Sequence, residues 1–482
     1  MKKNKIIAII ASFIICLSAA GCSSSESSES ETVNSSESIS KESGVKGSDQ
    51  NTSEIVVSGL SNSADNLETS DIFSKRDLAQ EADLSDAKQL SVKDSETLSI
   101  TEEGVYVLTG TAKNCTVKIE ADKEAKIQLV LDGVTVENDD FPAIYIVSAD
   151  KVFITTTDSN NKLSVTGEFN ADGDTNTDAV IYSKDDIVFN GKGTLEIVSS
   201  KANGISGKDD IKFTGGTYKI TSEKDAVEAN DSIAVSDGTF EIKSSKDGLH
   251  SENDEDDTVG YIYISGGKFT INAKSDSIQS ATIAQIDGGT LDLSAAEGIE
   301  STHVIINGGE ITIAATDDGV NGSQKSKSAG TPSFEMNGGT LKISMSGNDT
   351  DAIDVNGNVT VNGGTIDISS NMQGSSESFD YDNSAEFNGG TIIINGEQVD
   401  EIPKPMMGGG FGGGRGGFNK NGNGGNFNMN NMPEDFDPEN LPEDFNKGNF
   451  KKFDGENSGQ NRFRRGNMQT ESTDTLSASA DV

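Results

Sequence analysis

The run Ile211-Lys212-Phe213-Thr214-Gly215-Gly216-Thr217-Tyr218-Lys219-Ile220, followed by Asp225-Ala226-Val227-Glu228-Ala229, decides the fold of this chain. It holds three short stretches of alternating apolar and polar residues, separated by a Gly-Gly turn and a polar turn. A period of two sends one set of side chains inward and the other outward, so each stretch reads as a half-buried strand. The same anchor returns at Gly193-Thr194, Gly238-Thr239, Gly267-Lys268, Gly289-Thr290, Gly309-Glu310, Gly339-Thr340, Gly364-Thr365 and Gly390-Thr391. The step from one anchor to the next is roughly 20–30 residues, within the range of solenoid repeats. Three strands and three turns in such a step make one coil, and stacked coils about 4.8 Å apart pair each strand with its equivalent in the next. A β-sandwich has turn signals too, but it does not predict one Gly-Gly-Thr at constant register. The expected fold is all-β, a single-stranded parallel β-helix, or solenoid.

Working outward, the long steps are swollen turns. The insertion Ser251 to Asp257 after His250 and the stretch Gly322 to Ser333 are expected to be outward loops, which in repeat proteins often line the binding face. Upstream, Val105-Tyr106-Val107-Leu108, Val117-Lys118-Ile119, Ile127 to Gly133 and Val152-Phe153-Ile154 continue the strand pattern less regularly, as end coils must when they close the core. The solenoid is therefore placed at 72–400. Positions 1–21 read as an export signal, with Lys2, Lys3 and Lys5 ahead of an apolar run, Ile6 to Ala20, that is too short to span a bilayer. Ala19-Ala20-Gly21-Cys22 resembles a bacterial lipobox, which implies cleavage before Cys22, acylation of its thiol and a lipid anchor in the membrane. Residues 22–71 form a Ser-rich stretch with too little apolar surface to fold, a disordered tether, and 401–482 a disordered Gly/Asn/Phe-rich tail.

With 79 Asp plus Glu against 38 Lys plus Arg the chain carries a formal charge of −41, which leaves no basic surplus for nucleic acid. Stacking turns repetition into columns of equivalent residues, and two of these are acidic. One is Asp178, Asp225, Asp247, Asp276, Glu297, Asp318 and Asp351, with Ile181, Glu228, His250, Gln279, Glu300, Asn321 and Asp354 three places further on; the other is Asp150, Asp185, Asp209 and Asp231. Unit charges 4 Å apart repel by about 4 kcal/mol at an effective dielectric near 20, so something must offset the columns: raised pKa values, lysines such as Lys184, Lys208, Lys224 and Lys246, or a hard cation. Taken singly, each Asp reads as a turn former that accepts local backbone N–H bonds. Taken together, the oxygen-rich columns point to calcium, with Asp185, Asp209, Asp225, Glu228, Asp231, Asp247, Glu300, Asp318, Asp351 and Asp354 as candidate ligands. Catalytic signals are thin: His250 and His303, the only histidines, read as surface residues without triad context, and no catalytic residue is assigned.

The ordered series Phe73 to Leu78, Gly104 to Gly110, Leu129 to Val134, Ala143 to Ile146 and Ile181 to Ile187, with the Asp-Gly and Asp-Ala coils after it, resembles the carbohydrate-binding β-helix family of clostridial surface proteins. The resemblance implies a calcium-binding right-handed parallel β-helix that binds plant cell-wall polysaccharide, acidic pectic chains and cellulose being the class. That family is in turn similar to the family nine pectate lyases, through Asp317-Asp318-Gly319 and Asp351-Ala352-Ile353-Asp354, although neither stretch has the whole Asp-Asp-Gly-x-x-Asp element. Without Trp, sugar stacking would fall to Tyr218, Tyr261 and Tyr263. The expected protein is a monomeric, non-catalytic, membrane-anchored surface binder of polysaccharide; a calcium-dependent pectate lyase and a structural or adhesive surface protein are the alternatives.

Overall fold

The computed structural model describes residues 66–253, 255–347, 350–370 and 376–405. The export signal 1–21, Cys22, the tether up to residue 65 and the tail from 406 onward lie outside the described residues. The chain divides into two compact units, Met1–Gly409 and Gly410–Val482, and the described residues all belong to the first. Among them are strands and turns and no helix.

The repeat folds as its alternation requires. Asp210–Ser222 runs along one face, shifts register between Phe213 and Thr217 at the Gly215-Gly216 corner, and continues along a second face. Val227–Ala229 forms the third face, and Ser232–Ser244 begins the next coil directly above. From Tyr261–Ile264, Lys268–Asn272 and Asp276–Ser280 onward each coil has three separate strands, every one pairing in parallel with the strand three further along the chain. The third face is a 12-stranded parallel sheet; the first two merge into one 22-stranded sheet because several strands bend around the corner between them. This arrangement of stacked three-sided coils fits a β-helix.

Inward residues stack into columns. On the first face Ile211, Ile233, Ile262, Ala284, Val304, Phe334 and Val359 lie in register, on the second Ile197, Ile220, Ile242, Ile271, Leu293, Ile313, Ile343 and Ile368, and on the third Ile181, Ile205, Val227, Leu249, Ile278, Ile299, Val320 and Ile353. All are buried. Branched aliphatics suit such a column because their stiff side chains pack against identical neighbours on the pleated surface. A run of rings fills the middle coils: Phe189 stacks on Phe213 with centroids 4.8 Å apart, and Phe240 on Phe269 at 4.5 Å. At the far end Thr391–Ile394 folds back on Glu397–Val399 through Asn395-Gly396, both at positive φ. That is the hairpin chemistry expected of Asn-Gly, and the antiparallel strand covers the open edge of the second face.

A strap that the repeat does not announce crosses the outer side of the first face. Its start is fixed where the Leu67 N–H donates to Gln285 Oε1 (2.8 Å) and Asn307 Nδ2 donates to Asn66 Oδ1 (2.8 Å). Its other end is fixed where Gln80 Nε2 donates to the Thr214 carbonyl (2.8 Å), Gln80 Oε1 accepts from the Gly191 N–H (2.9 Å), and Arg76 lies 4.2 Å over the Phe153 ring. Between these points Leu67, Ile72 and Phe73 pack on Ala234, Tyr261, Tyr263, Ile283 and Ile305. The packed structure thus begins at least at Asn66, upstream of the expected boundary at 72, because Leu67 finds an apolar sheet surface to cover. It also passes the expected end at 400, since Ile402 is buried.

The strap corrects one expectation. Tyr261 and Tyr263 are each only 5% exposed beneath it, and Tyr218, at 1%, lies inside the solenoid. The Tyr218 hydroxyl donates to the Gly215 carbonyl (2.6 Å), and its ring packs on Phe213 and Phe240. None of the three is a platform for a sugar; aromatic area was used for packing instead.

Candidate functional site

The third face carries the acids. Short strands there leave the flanking residue at or just outside the end of the ladder, and register puts Asn203, Asp225, Asp247, Asp276, Glu297, Asp318, Asp351 and Glu377 one above another. One carboxylate oxygen of each of several members accepts the N–H of its equivalent in the next coil. Asp225 Oδ1 takes the Asp247 N–H (3.0 Å), Asp247 Oδ1 that of Asp276 (3.1 Å), Asp318 Oδ1 that of Asp351 (3.0 Å) and Asp351 Oδ1 that of Glu377 (2.6 Å). The bond satisfies a backbone donor at the strand's edge, and it leaves a second oxygen for other partners. The outward column beside it is Tyr182, Ser206, Glu228, His250, Gln279, Glu300, Asn321 and Asp354. Tyr182 holds the place expected for Ile181, which points inward, because the coil after Asp178 has one residue more than the coils above it.

The two columns converge into three groups whose ligand atoms lie within 4.8 Å of one another: Asp225, Asp247 and His250; Asp276, Glu297 and Glu300; and Asp318, Asp351 and Asp354. Each draws two acids from successive coils and one outward residue. The first is already neutralised. Lys246 Nζ lies 2.9 Å from Asp225 Oδ2 and 3.4 Å from Asp247 Oδ2, and His250 Nδ1 is 3.6 and 3.7 Å from the same oxygens. Burial opposes the imidazolium, but the bonds to Asp225 and Glu252 prevail and its pKa rises to about 9. Burial likewise opposes the Asp225 carboxylate, and the bonds from His250 and Lys246 bring its pKa down to about 2.

The second group is short of positive charge. Lys325, delivered by the loop after Gly322, bonds Glu300 Oε2 at 2.5 Å. Gln279 donates to Glu300 (2.8 Å), Asn321 to Glu297 (3.0 Å), and Ser323 to Glu300 (2.9 Å). Burial, with Asp247 and Glu300 adding repulsion, pushes Asp276 to about 7, and burial together with Glu300 and Asp276 pushes Glu297 to about 8. The third group is built from three aspartates, all partly exposed.

The remaining candidates behave differently. Glu228 accepts from Asn203 Nδ2 (2.7 Å) and Ser206 Oγ (3.0 Å) and joins no acidic group among the described residues. Asp150, Asp185, Asp209 and Asp231 do stack as expected. Their oxygens serve local donors: Asp185 takes the Ala149 N–H (3.1 Å), Asp209 the Asp210 N–H (3.0 Å) and Asp231 the Asn253 amide (2.7 Å). Burial, then Asp186, Asp210 and Asp231, raises Asp209 to about 7. Neither histidine is a surface residue. His250 is 8% exposed within the first group, and His303, 2% exposed, donates from Nε2 to the Ala329 carbonyl (2.7 Å) and accepts from Ser333 Oγ at Nδ1 (2.8 Å). His303 thereby pins the 322–333 loop, whose Ser326 Oγ reaches the Asp257 carbonyl (2.5 Å) of the other inserted loop.

Stacked parallel coils with an oxygen-rich edge define the class of protein by architecture, and comparison with known proteins supplies its family. Residues 94–350 match the carbohydrate-binding domain-containing protein family, and the chain belongs to it. A carbohydrate-binding domain-containing protein of Acetivibrio thermocellus is 37% identical over 134 residues, 27% of this chain and 46% of that protein, so the chain spans less than half of that relative. The solved polysaccharide lyase-like protein from C. thermocellum, a gadolinium derivative, is 29% identical, with 47% of this chain and 93% of that one aligned at a TM-score of 0.40.

Proposed function

We propose that this chain is a non-catalytic, monomeric surface lipoprotein whose right-handed, single-stranded β-helix binds polysaccharide with calcium held on its third face. Membership of a carbohydrate-binding family supports the polysaccharide. The observation that carries the metal is the donor chemistry of two groups, Asp276/Glu297/Glu300 and Asp318/Asp351/Asp354, which offer carboxylate oxygens alone. Calcium takes six to eight oxygens; Gln279, Asn321 and Ser323 now donate to the carboxylates of the second group, and turning their amide and hydroxyl oxygens toward a cation would complete such a shell. The Asp225/Asp247/His250 group fits less well, because Lys246 and His250 already supply the positive charge. A right-handed coil is the hand that parallel crossovers adopt in nearly all sheets. Covering of the apolar outer side of the first face by the strap supports a monomer.

The glycans this reading favours are acidic plant cell-wall chains such as polygalacturonate, and cellulose. An acidic protein repels a uronate chain unless a cation stands between the carboxylates, and bound calcium would supply that charge. The test is a pull-down panel of polygalacturonate and cellulose run with calcium and with chelator, with circular dichroism on the same samples. Calcium-dependent uronate binding by a folded domain is expected. Binding that survives chelation undiminished would reduce the metal to a structural role.

A lyase reading draws on Lys325 beside Glu300, the position a base would need near a metal. Its Nζ is engaged by the carboxylate, however, and a base needs a free lone pair. Ultraviolet-absorbing unsaturated product on incubation with polygalacturonate and calcium would establish it. Under the adhesive reading, deletion of 403–482 abolishes attachment; under the reading proposed here it leaves glycan binding unchanged.

A further inference from the structure

The second face stands apart from the rest of this acidic molecule. Its outward residues include small polar ones, such as the column Thr194, Thr217 and Thr239, and Thr270 and Asn272 along one strand. Through the middle coils one column alternates in sign: Lys162, Glu196, Lys219 and Glu241 are successive rungs. Lys162 pairs with Glu196 at 2.7 Å and Lys219 with Glu241 at 3.0 Å. These four charges cancel. Beside them Lys243 and Lys268 are exposed on the same face and form no ion pair among the described residues. Lys243 follows Glu241 on its strand, while Lys268 sits opposite Thr239 one coil higher. Strand rise and strand spacing therefore put the Cα atoms of the two lysines about 14 Å apart. The next acids upward on this face, Asp292 and Glu310, lie one and two coils above Lys268. Glu196, Lys219, Ile220, Thr221, Glu241 and Lys243 line a shallow hollow of about 240 Å³.

We infer that this face is a second, metal-independent contact for an anionic polysaccharide, a uronate chain whose carboxylates meet Lys243 and Lys268. The inference rests on the polysaccharide-binding reading above and adds a site to it. A chain of net charge −41 is repulsive to a polyanion as a whole. At physiological ionic strength, however, charges further away than about 8 Å are largely screened. At short range a docked chain meets two ammonium groups that no carboxylate holds in an ion pair, Lys243 having Glu241 beside it on the strand. Glu196, Glu241 and Thr221 supply acceptors and a hydroxyl for the sugar hydroxyls between the carboxylates, and the flat sheet face accepts an extended chain without rearrangement. The strap covers the middle coils of the first face and the acidic columns line the third, whereas in those coils the second face offers two lysines to a uronate without a cation between.

The test compares the full chain with a Lys243→Glu/Lys268→Glu variant for binding to polygalacturonate and to cellulose, in calcium and in chelator, at low and at physiological salt. Expected is residual polygalacturonate binding in chelator that weakens with salt and falls at least tenfold in the variant, with cellulose binding and the circular dichroism spectrum unchanged. A variant that holds polygalacturonate as tightly as the parent overturns the placement. A folded parent that loses all polygalacturonate binding in chelator overturns the metal-independent contact while leaving the calcium reading intact. If chelation unfolds the domain, the calcium samples decide, through equal or unequal affinities of parent and variant. Absence of binding to either glycan in calcium would instead defeat the polysaccharide reading itself.

Discussion

Asn337 shows how much a single repeated residue does here. Its Nδ2 donates to Asn307 Oδ1 (2.8 Å) and its Oδ1 accepts from Asn362 Nδ2 (2.8 Å), one rung in a ladder that runs from Asp287 to Asn388. The Gly-Gly that follows it turns the corner, and Gly339, at φ +77°, has the Gly308 carbonyl carbon 2.7 Å from where a Cβ would stand. Asn337→Ala removes two side-chain hydrogen bonds and leaves both neighbours short of a partner, so a loss of about 1–2 kcal/mol is expected in denaturant unfolding. Calcium linkage belongs to the same scale. Asp276 and Glu297 have folded pKa values of about 7 and 8. These lie above their unfolded values, so the metal-free fold binds more protons than the unfolded chain and loses stability as pH rises through that range. Calcium bound as proposed would hold those carboxylates ionised and remove the slope. Its stabilisation in thermal melts should therefore be larger at pH 8 than at pH 5, and equal shifts would contradict the site. The acids of these groups were legible in sequence as columns; which of them converge was not, since Glu228 and Glu300 occupy equivalent positions and differ only in their neighbours.

The strap and the inserted loop are elements with their own consequences. Phe73 packs 6.3 Å, centroid to centroid, from Tyr263, and Asp77 is buried where its carbonyl accepts from Thr214 Oγ1 and Asn190 Nδ2. Removing 66–81 should expose Tyr261, Tyr263, Ile283 and Ile305 while leaving the coils folded. The expected result is a lower melting temperature, stronger binding of a hydrophobic dye and concentration-dependent association in light scattering. The 322–333 loop depends on His303, whose pKa is lowered by burial, with the bond to Ala329 opposing. A histidine depressed in the fold stabilises it above the unfolded pKa near 6.5, and that contribution is lost as pH falls through the folded value. Limited proteolysis within 322–333 should accelerate below pH 6.5, and His303→Gln should flatten that dependence. The two inserted loops were legible as swollen turns. That one of them delivers Lys325 to Glu300 was not, because a loop's landing point depends on what stands beneath it.

At the scale of the molecule each coil touches only its neighbours, so stability is approximately a sum over coils and interfaces. The middle coils add the ring column from Phe189 to Phe269 and the strap's polar anchors, while the ends have one neighbour each. Hydrogen exchange should be slowest between Ile187 and Ile271 and fastest in Lys88–Ser91 and Ser384–Phe387; uniform protection would mean a single cooperative unit. The sequence by itself determined the coil, its three strands and its acidic columns, because a period of two nested inside the longer repeat admits one way of burying every apolar residue. It mistook Tyr218 for a sugar contact although the alternation that buries Ile220 turns that ring inward as well, and it mistook Tyr261 and Tyr263 because an alternating pattern does not say whether an outward face meets water or another segment. Only the tertiary structure decided that, by laying residues 66–81 over one face. Only stacking decided which acids meet within 4.8 Å, because each group is assembled from coils 21 to 33 residues apart.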